Sequence, residues 1–181
     1  AEVTYVLKID NTLWRRIEVD KGELTESFVK IAENVKDISY EYQNFGRFFY
    51  LMEDGELFSD DAMMDTQTLI QANLAELPGK SFYNYKELDG NSYVIKYGRF
   101  QEEYVNVGPV NIVQVNDVWY EVDPETNEYV YYTYYLTDEG VLYCYTEKSG
   151  IQVVARDVAE IERDYDWSVI YRGTDGLYRD I

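Results

Sequence analysis

Thirty-five of the 181 residues are Asp or Glu, and none is histidine. Two carboxylates that face one sugar can hydrolyse its glycosidic bond, one as acid and one as base or nucleophile. Carboxylates can also hold calcium through their oxygens. The lack of histidine removes the commonest general base, every Ser-His-Asp or Cys-His arrangement and every zinc site of Cys and His. One cysteine, Cys144, stands inside "LYCYT". It permits no internal disulfide and reads as a small core residue rather than a reactive thiol.

Two acidic stretches stand out. "MEDGELFSDD", Met52 to Asp61, gathers acids around a turn and could bind calcium, but it lacks the regular spacing of an EF-hand loop. "DPETNE", Asp123 to Glu128, is a weaker version of the same pattern. Solvated hairpin tips account for both, so no metal or other cofactor is expected. No carboxylate pair is singled out by its context, and no catalytic residue is assigned. Trp119, Tyr120, Tyr165 and Trp167 are candidates for a sugar-stacking platform, with packing between sheets as the competing role.

Composition limits what could position these groups. Aromatic residues make up 17% of the chain, and 20 residues are tyrosine, a bias that favours strands. The net charge of −19 opposes phosphate backbones and anionic membrane surfaces, so no nucleic acid partner is expected. No apolar run approaches the roughly 20 residues of a membrane span. The chain begins at Ala1. That start fits a trimmed secreted or envelope protein, or a residue added in expression.

The elements repeat. "IAENVKDISYEYQNFGRFFYLMEDGELF", Ile31 to Phe58, shares its grammar with "VARDVAEIERDYDWSVIYRGTDGLY", Val154 to Tyr178. Val35 aligns with Val158 and Ile38 with Ile161. Each unit reads as an apolar strand, a second strand, an Asp-Gly turn and a third strand. Asp54-Gly55 and Asp175-Gly176 suit a two-residue hairpin turn, where Gly takes positive φ freely and Asp tolerates it. Gly140 marks a third copy, Asn11 a fourth, and Asp89-Gly90 a displaced fifth. Asn is the best substitute for Gly in the left-handed region. The steps from Asp10 to Asp54 (44), Asp54 to Asp138 (84) and Asp138 to Asp175 (37) give a repeat of roughly 40 residues, the length of a four-stranded propeller blade.

Three segments admit a helix instead. Met63, Ile70, Leu74 and Leu77 fall at helical intervals, as do Phe28, Ile31, Val35 and Ile38, and Ile151, Val154, Val158 and Ile161. The hairpin turns and tyrosine-rich runs that follow the last two favour strands there, and the first fits an inserted helix or a strand pair. "EYVYYTYYLT", Glu128 to Thr137, is the strongest strand, apolar or aromatic on both faces.

"YVLKIDNTLW", "VKIAENVKDISYEY" and "FFYLMEDGELF" resemble the repeats of the regulator-of-chromosome-condensation family in its bacterial form. The resemblance covers the first 58 residues and residues 135 to 181, and is poor between them. It implies a propeller-like scaffold with a binding role. The chain departs from it in having no histidine in the middle strand and Arg15 after Trp14 where the family has glycine. The family's chromatin and nucleotide-exchange activities are not carried over.

The expectation is an all-β chain, with residues 1–181 forming one propeller or propeller-like array of about four to five units. The expected function is non-catalytic binding of a protein or glycan by a secreted or envelope protein. A carbohydrate-active hydrolase using a carboxylate pair, and a structural repeat segment of a longer surface protein, are the alternatives.

Overall fold

Residues 2–18, 27–41, 47–79, 82–98, 101–116, 119–163 and 168–181 are described by the computed structural model. For residues 40, 41, 47, 97, 98, 101, 102, 119 and 120, only the backbone is described. The described residues form eighteen strands in five antiparallel sheets, with no α-helix among them.

Each sheet is made of consecutive strands. The first holds β1 (Glu2–Leu7), β2 (Leu13–Glu18) and β3 (Val29–Ala32) in that order. The second is a meander of β4 (Val35–Glu41), β5 (Arg47–Met52), β6 (Leu57–Asp61) and β7 (Thr66–Gln71). The third runs β8 (Asn84–Lys86), β9 (Ser92–Gly98), β10 (Gln101–Gly108). In the fourth, β11 (Ile112–Val115) and β12 (Trp119–Val122) both pair with the long β13 (Tyr129–Thr137), followed by β14 (Leu142–Thr146) and β15 (Gly150–Ala155). β16 (Val158–Arg163), β17 (Val169–Gly173) and β18 (Tyr178–Asp180) make the fifth.

All three helix alternatives resolve into strands, Ile151 to Ile161 becoming β15 and β16 with Asp157 between them at a φ of 58°. Phe28 to Ile38 becomes β3 and β4, divided at Asn34, whose φ of 59° interrupts any helix. Met63 to Leu77 becomes a turn, β7 and an isolated bridge at Leu74. Glu128 to Thr137 forms a strand as expected, but its cover is uneven. Tyr135, Leu136 and Thr137 are buried, while Tyr129 at the other end is exposed.

The turn positions share a backbone conformation. Asn11, Gly55, Gly90, Gly140 and Gly176 all have positive φ, from 61° to 90°. Around Gly55 the loop has three residues, not the two expected. The Gly55 N–H donates to Met52 O at 3.1 Å, and the Met52 N–H to Glu56 O at 2.8 Å. Asn11, Gly140 and Gly176 repeat that pair of bonds. Such a loop needs only one left-handed residue, so the preceding Asp serves another purpose. Asp10, Asp54 and Asp175 each accept, through Oδ1, the N–H two residues on, at 3.1–3.2 Å.

A second set of bonds ties each turn to a strand or bridge further along the chain. The carbonyls of Asn11, Gly55 and Gly140 accept the N–H groups of Val35, Leu74 and Val158, at 2.9–3.0 Å. Those three side chains are buried. The residue before each, Asn34, Asn73 or Asp157, has positive φ and offers its carbonyl to Glu53, Leu88 or Thr174. Leu13, Leu57 and Leu142, two residues after the left-handed position, are fully buried. Each also marks a bulge against the next strand. Burying one such leucine is worth about 1.5–3 kcal/mol.

The chain groups into two compact units, Ala1–Ser81 with Glu87–Asp89, and Phe82–Lys86 with Gly90–Ile181. In the first, Leu13, Val35, Phe48 and Tyr50 form a core against which Tyr5, Ile31 and Phe58 pack. Arg15 and Asp60 are also buried there, joined by two bonds of 2.9 and 3.1 Å, and the Tyr5 hydroxyl donates to Asp60 at 2.7 Å. In the second unit, Leu136, Leu142, Val158, Ile161 and Val169 form a core. The Thr133 hydroxyl donates to the Ile95 carbonyl at 2.9 Å, joining β13 to β9.

Candidate functional site

The second unit contains a cleft of about 410 Å³ between the β12–β13 hairpin and the β14–β15 turn. A volume of that order lies within the range that holds small ligands. The hairpin contributes Glu121, Val122, Asp123, Pro124, Glu125, Val130 and Tyr132. The other wall is Thr146, Lys148 and Ser149.

The hairpin turn is the "DPETNE" stretch. Asp123 organises it, its Oδ1 accepting the N–H groups of Glu125 at 2.9 Å and Thr126 at 3.3 Å. The Asn127 N–H donates to Asp123 O at 2.8 Å, with Asn127 left-handed at a φ of 56°. The donors from Glu125 and Thr126, and then the Lys148 ammonium, hold the Asp123 carboxyl below the usual carboxylate range. Lys148 approaches it at 3.8 Å, an exposed and therefore weak tether between the two walls.

On β13 the Tyr132 hydroxyl donates to Glu121 Oε2 at 3.2 Å. Burial, then the Glu121 charge, push the phenol up, so it stays a donor. The far wall is a tight turn in which the Thr146 and Ser149 hydroxyls meet at 2.5 Å and the Ser149 N–H donates to Thr146 Oγ1 at 3.0 Å. The cleft thus offers carboxylate acceptors, hydroxyls and an ammonium donor around small apolar surfaces on Val122, Pro124 and Val130. That mixture suits a polyhydroxylated ligand, whose faces alternate C–H and O–H groups.

Of the four aromatic candidates, Trp119 and Tyr120 lie in β12, where their backbones pair with Tyr132 and Tyr131. Their side chains lie outside the described residues, as do Tyr165 and Trp167 entirely. Four of the five acids of Met52 to Asp61 are occupied by structure. Glu53 accepts from the Asn11 amide at 2.7 Å, Asp54 holds its own turn, Asp60 pairs with Arg15, and Asp61 accepts the Met63 and Met64 N–H groups. No cluster of metal-ligating side chains occurs among the described residues. The Cys144 thiol is pushed up to about 11 by burial, and a bond to Tyr134 only partly offsets this, so it is no thiolate at neutral pH.

The sequence carried a signal for one wall of the cleft, the Asp-Pro turn beside a tyrosine-rich strand. It carried none for Thr146, Lys148 and Ser149, which reach the cleft through the pairing of β13 with β14.

No protein-family model matches the chain, and no curated protein matches it. Among solved structures, the chain is similar to an auxiliary nutrient binding protein from Bacteroides thetaiotaomicron, with a TM-score of 0.40 and 9% identity over 93% of this chain. It spans 55% of that protein's chain. A likeness of that size assigns neither a fold family nor an activity. No described helix is long and apolar enough to cross a membrane.

Proposed function

We propose that the chain is a non-catalytic binding module of a secreted or envelope protein, and that the cleft of its second unit takes a glycan. The observation that carries this reading is the cleft's lining, where hydroxyls, carboxylates and one ammonium surround small apolar patches. A propeller-like array is the scaffold we infer. Successive meander sheets and a recurring turn clamp support it. Rigid sheets that hold short turns are a common way to present a binding surface.

A glycan array followed by calorimetric titration of the best oligosaccharide tests the reading. Saturable binding is expected, weakened about tenfold by Glu121→Gln, which keeps the shape but removes a charged acceptor. Lys148→Ala, on an exposed side chain, should weaken it without unfolding the chain. Binding unaffected by either change would move the site elsewhere. Release of reducing ends from the bound glycan would favour the hydrolase.

A further inference from the structure

We propose that β7 is a docking edge for an extended partner segment bearing basic residues. Among the described residues, β7 pairs with β6 alone, which leaves its other edge open. An open edge presents unpaired N–H and C=O groups, and proteins usually guard it with charge, proline or a very short strand. The six residues of β7, Thr-Gln-Thr-Leu-Ile-Gln, carry no charge in a chain that is 28% charged. By contrast, β3 carries Lys30, and β18 carries Arg179 and Asp180.

Two of the five exposed residues of β7 are large and apolar. Leu69 and Ile70 are 50% and 40% exposed, and Met63 and Met64 in the preceding turn are both 71% exposed. Methionine is flexible and adapts to irregular partners. β15 is also an uncharged outer strand, but its neighbouring turn, Glu147 to Ser149, offers no apolar residue.

Charge selects the occupant. Asp61 and Asp65 flank the methionines, Asp65 pairing with Arg15 yet keeping its side chain 84% exposed, and the whole chain carries −19. A second copy would bring −19 against −19, which opposes edge-to-edge pairing. A strand with alternating apolar residues and lysine or arginine at its ends satisfies both the open ladder and the acids. In such augmentation, backbone bonds give affinity and alternate side chains give selectivity.

The test uses the full chain and three labelled peptides, followed by fluorescence anisotropy. One alternates valine and threonine with lysine at each end, one has glutamate at each end, and one has lysine ends with a central proline. Ile70→Lys and Met64→Lys are the variants, both at exposed positions, with folding checked by circular dichroism. The lysine-ended peptide should bind saturably, and the glutamate and proline peptides about tenfold more weakly or not at all. Ile70→Lys and Met64→Lys should lower affinity by a similar factor. Equal binding of lysine- and glutamate-ended peptides, no binding, or unchanged binding by both variants would overturn the proposal. So would a wild-type dimer in light scattering that Ile70→Lys dissolves, because the occupant would then be a second copy.

Discussion

At Gly55 an added Cβ would come within 2.9 Å of the Leu74 carbonyl oxygen and 3.0 Å of the Leu88 side chain. At Gly176 it would meet nothing within 4 Å. Both have φ above 80°, so alanine at either pays the left-handed penalty of roughly 1–2 kcal/mol. Only Gly55→Ala adds a clash with backbone, about 1–3 kcal/mol more. Urea denaturation should therefore rank Gly55→Ala well below Gly176→Ala, with Gly176→Asn close to wild type, as Asn11 at a φ of 61° shows is possible. Equal losses at the two glycines would mean that the Leu74 segment yields. Charge acts at the same scale in Asp175. Its bonds to Arg179, and then to the Leu177 N–H, lower its pKa from 3.8 to about 2. A folded pKa below the unfolded one gives stability that is present above pH 4 and is lost as pH falls towards 2. Asp175→Asn keeps the Oδ1 acceptor but not the charge. The stability gap between wild type and this variant should close between pH 4 and 2, by less at high salt because the pair is exposed. A gap that stays constant over that range would show that the charge contributes nothing.

Elements set the cost of the buried ion pair. Arg15 on β2 and Asp60 on β6 have side chains 7% and 0% exposed, and Tyr5 on β1 adds a third bond. Removing Arg15 leaves Asp60 charged and buried, which costs about 3–5 kcal/mol. Arg15→Ala should lose an amount of that order in equilibrium unfolding, and Asp60→Ala less, because Arg15 keeps its pair with Asp65. Arg15→Met combined with Asp60→Leu should lose less than the two single changes added together. Simple additivity would show that the two groups do not depend on each other. The pair also shows what the sequence could reveal. Arg15 and Asp60 lie 45 residues apart and neither belongs to the turn motif, so nothing marked them as partners. The turn positions were legible, because a left-handed residue at Asn11, Gly55, Gly90, Gly140 or Gly176 has few possible identities. The turn type was not, since Asp-Gly suits both two- and three-residue loops. The helical spacing of Met63, Ile70, Leu74 and Leu77 left helix and strand open. A helix would have buried one stripe, whereas Leu74 is fully buried and Met63 is 71% exposed. The cleft was legible only at the Asp123 turn, because its far wall depends on strand register.

The whole molecule carries 35 acidic and 16 basic residues, and this imbalance opposes compaction. Several acids are already committed to ion pairs, including Asp60, Asp65, Glu103, Glu147, Glu160 and Asp175. All but the Arg15–Asp60 pair include a partner well exposed to water, and exposed pairs contribute little. Added salt weakens both these attractions and the wider repulsion. The repulsion acts over longer distances, and the Debye length shrinks from about 30 Å at 0.01 M to about 10 Å at 0.1 M, so repulsion is screened more. The melting temperature should therefore rise with sodium chloride between low salt and roughly 0.3 M, by about 2–4 °C if the gain is near 1 kcal/mol. Arg15→Met separates the two contributions, because the buried pair is shielded from mobile ions. The variant should melt lower at every salt concentration and rise at least as steeply as wild type, because it also loses the exposed Asp65 pair and one positive charge. A melting temperature that falls as salt is added would mean that the ion pairs outweigh the excess negative charge.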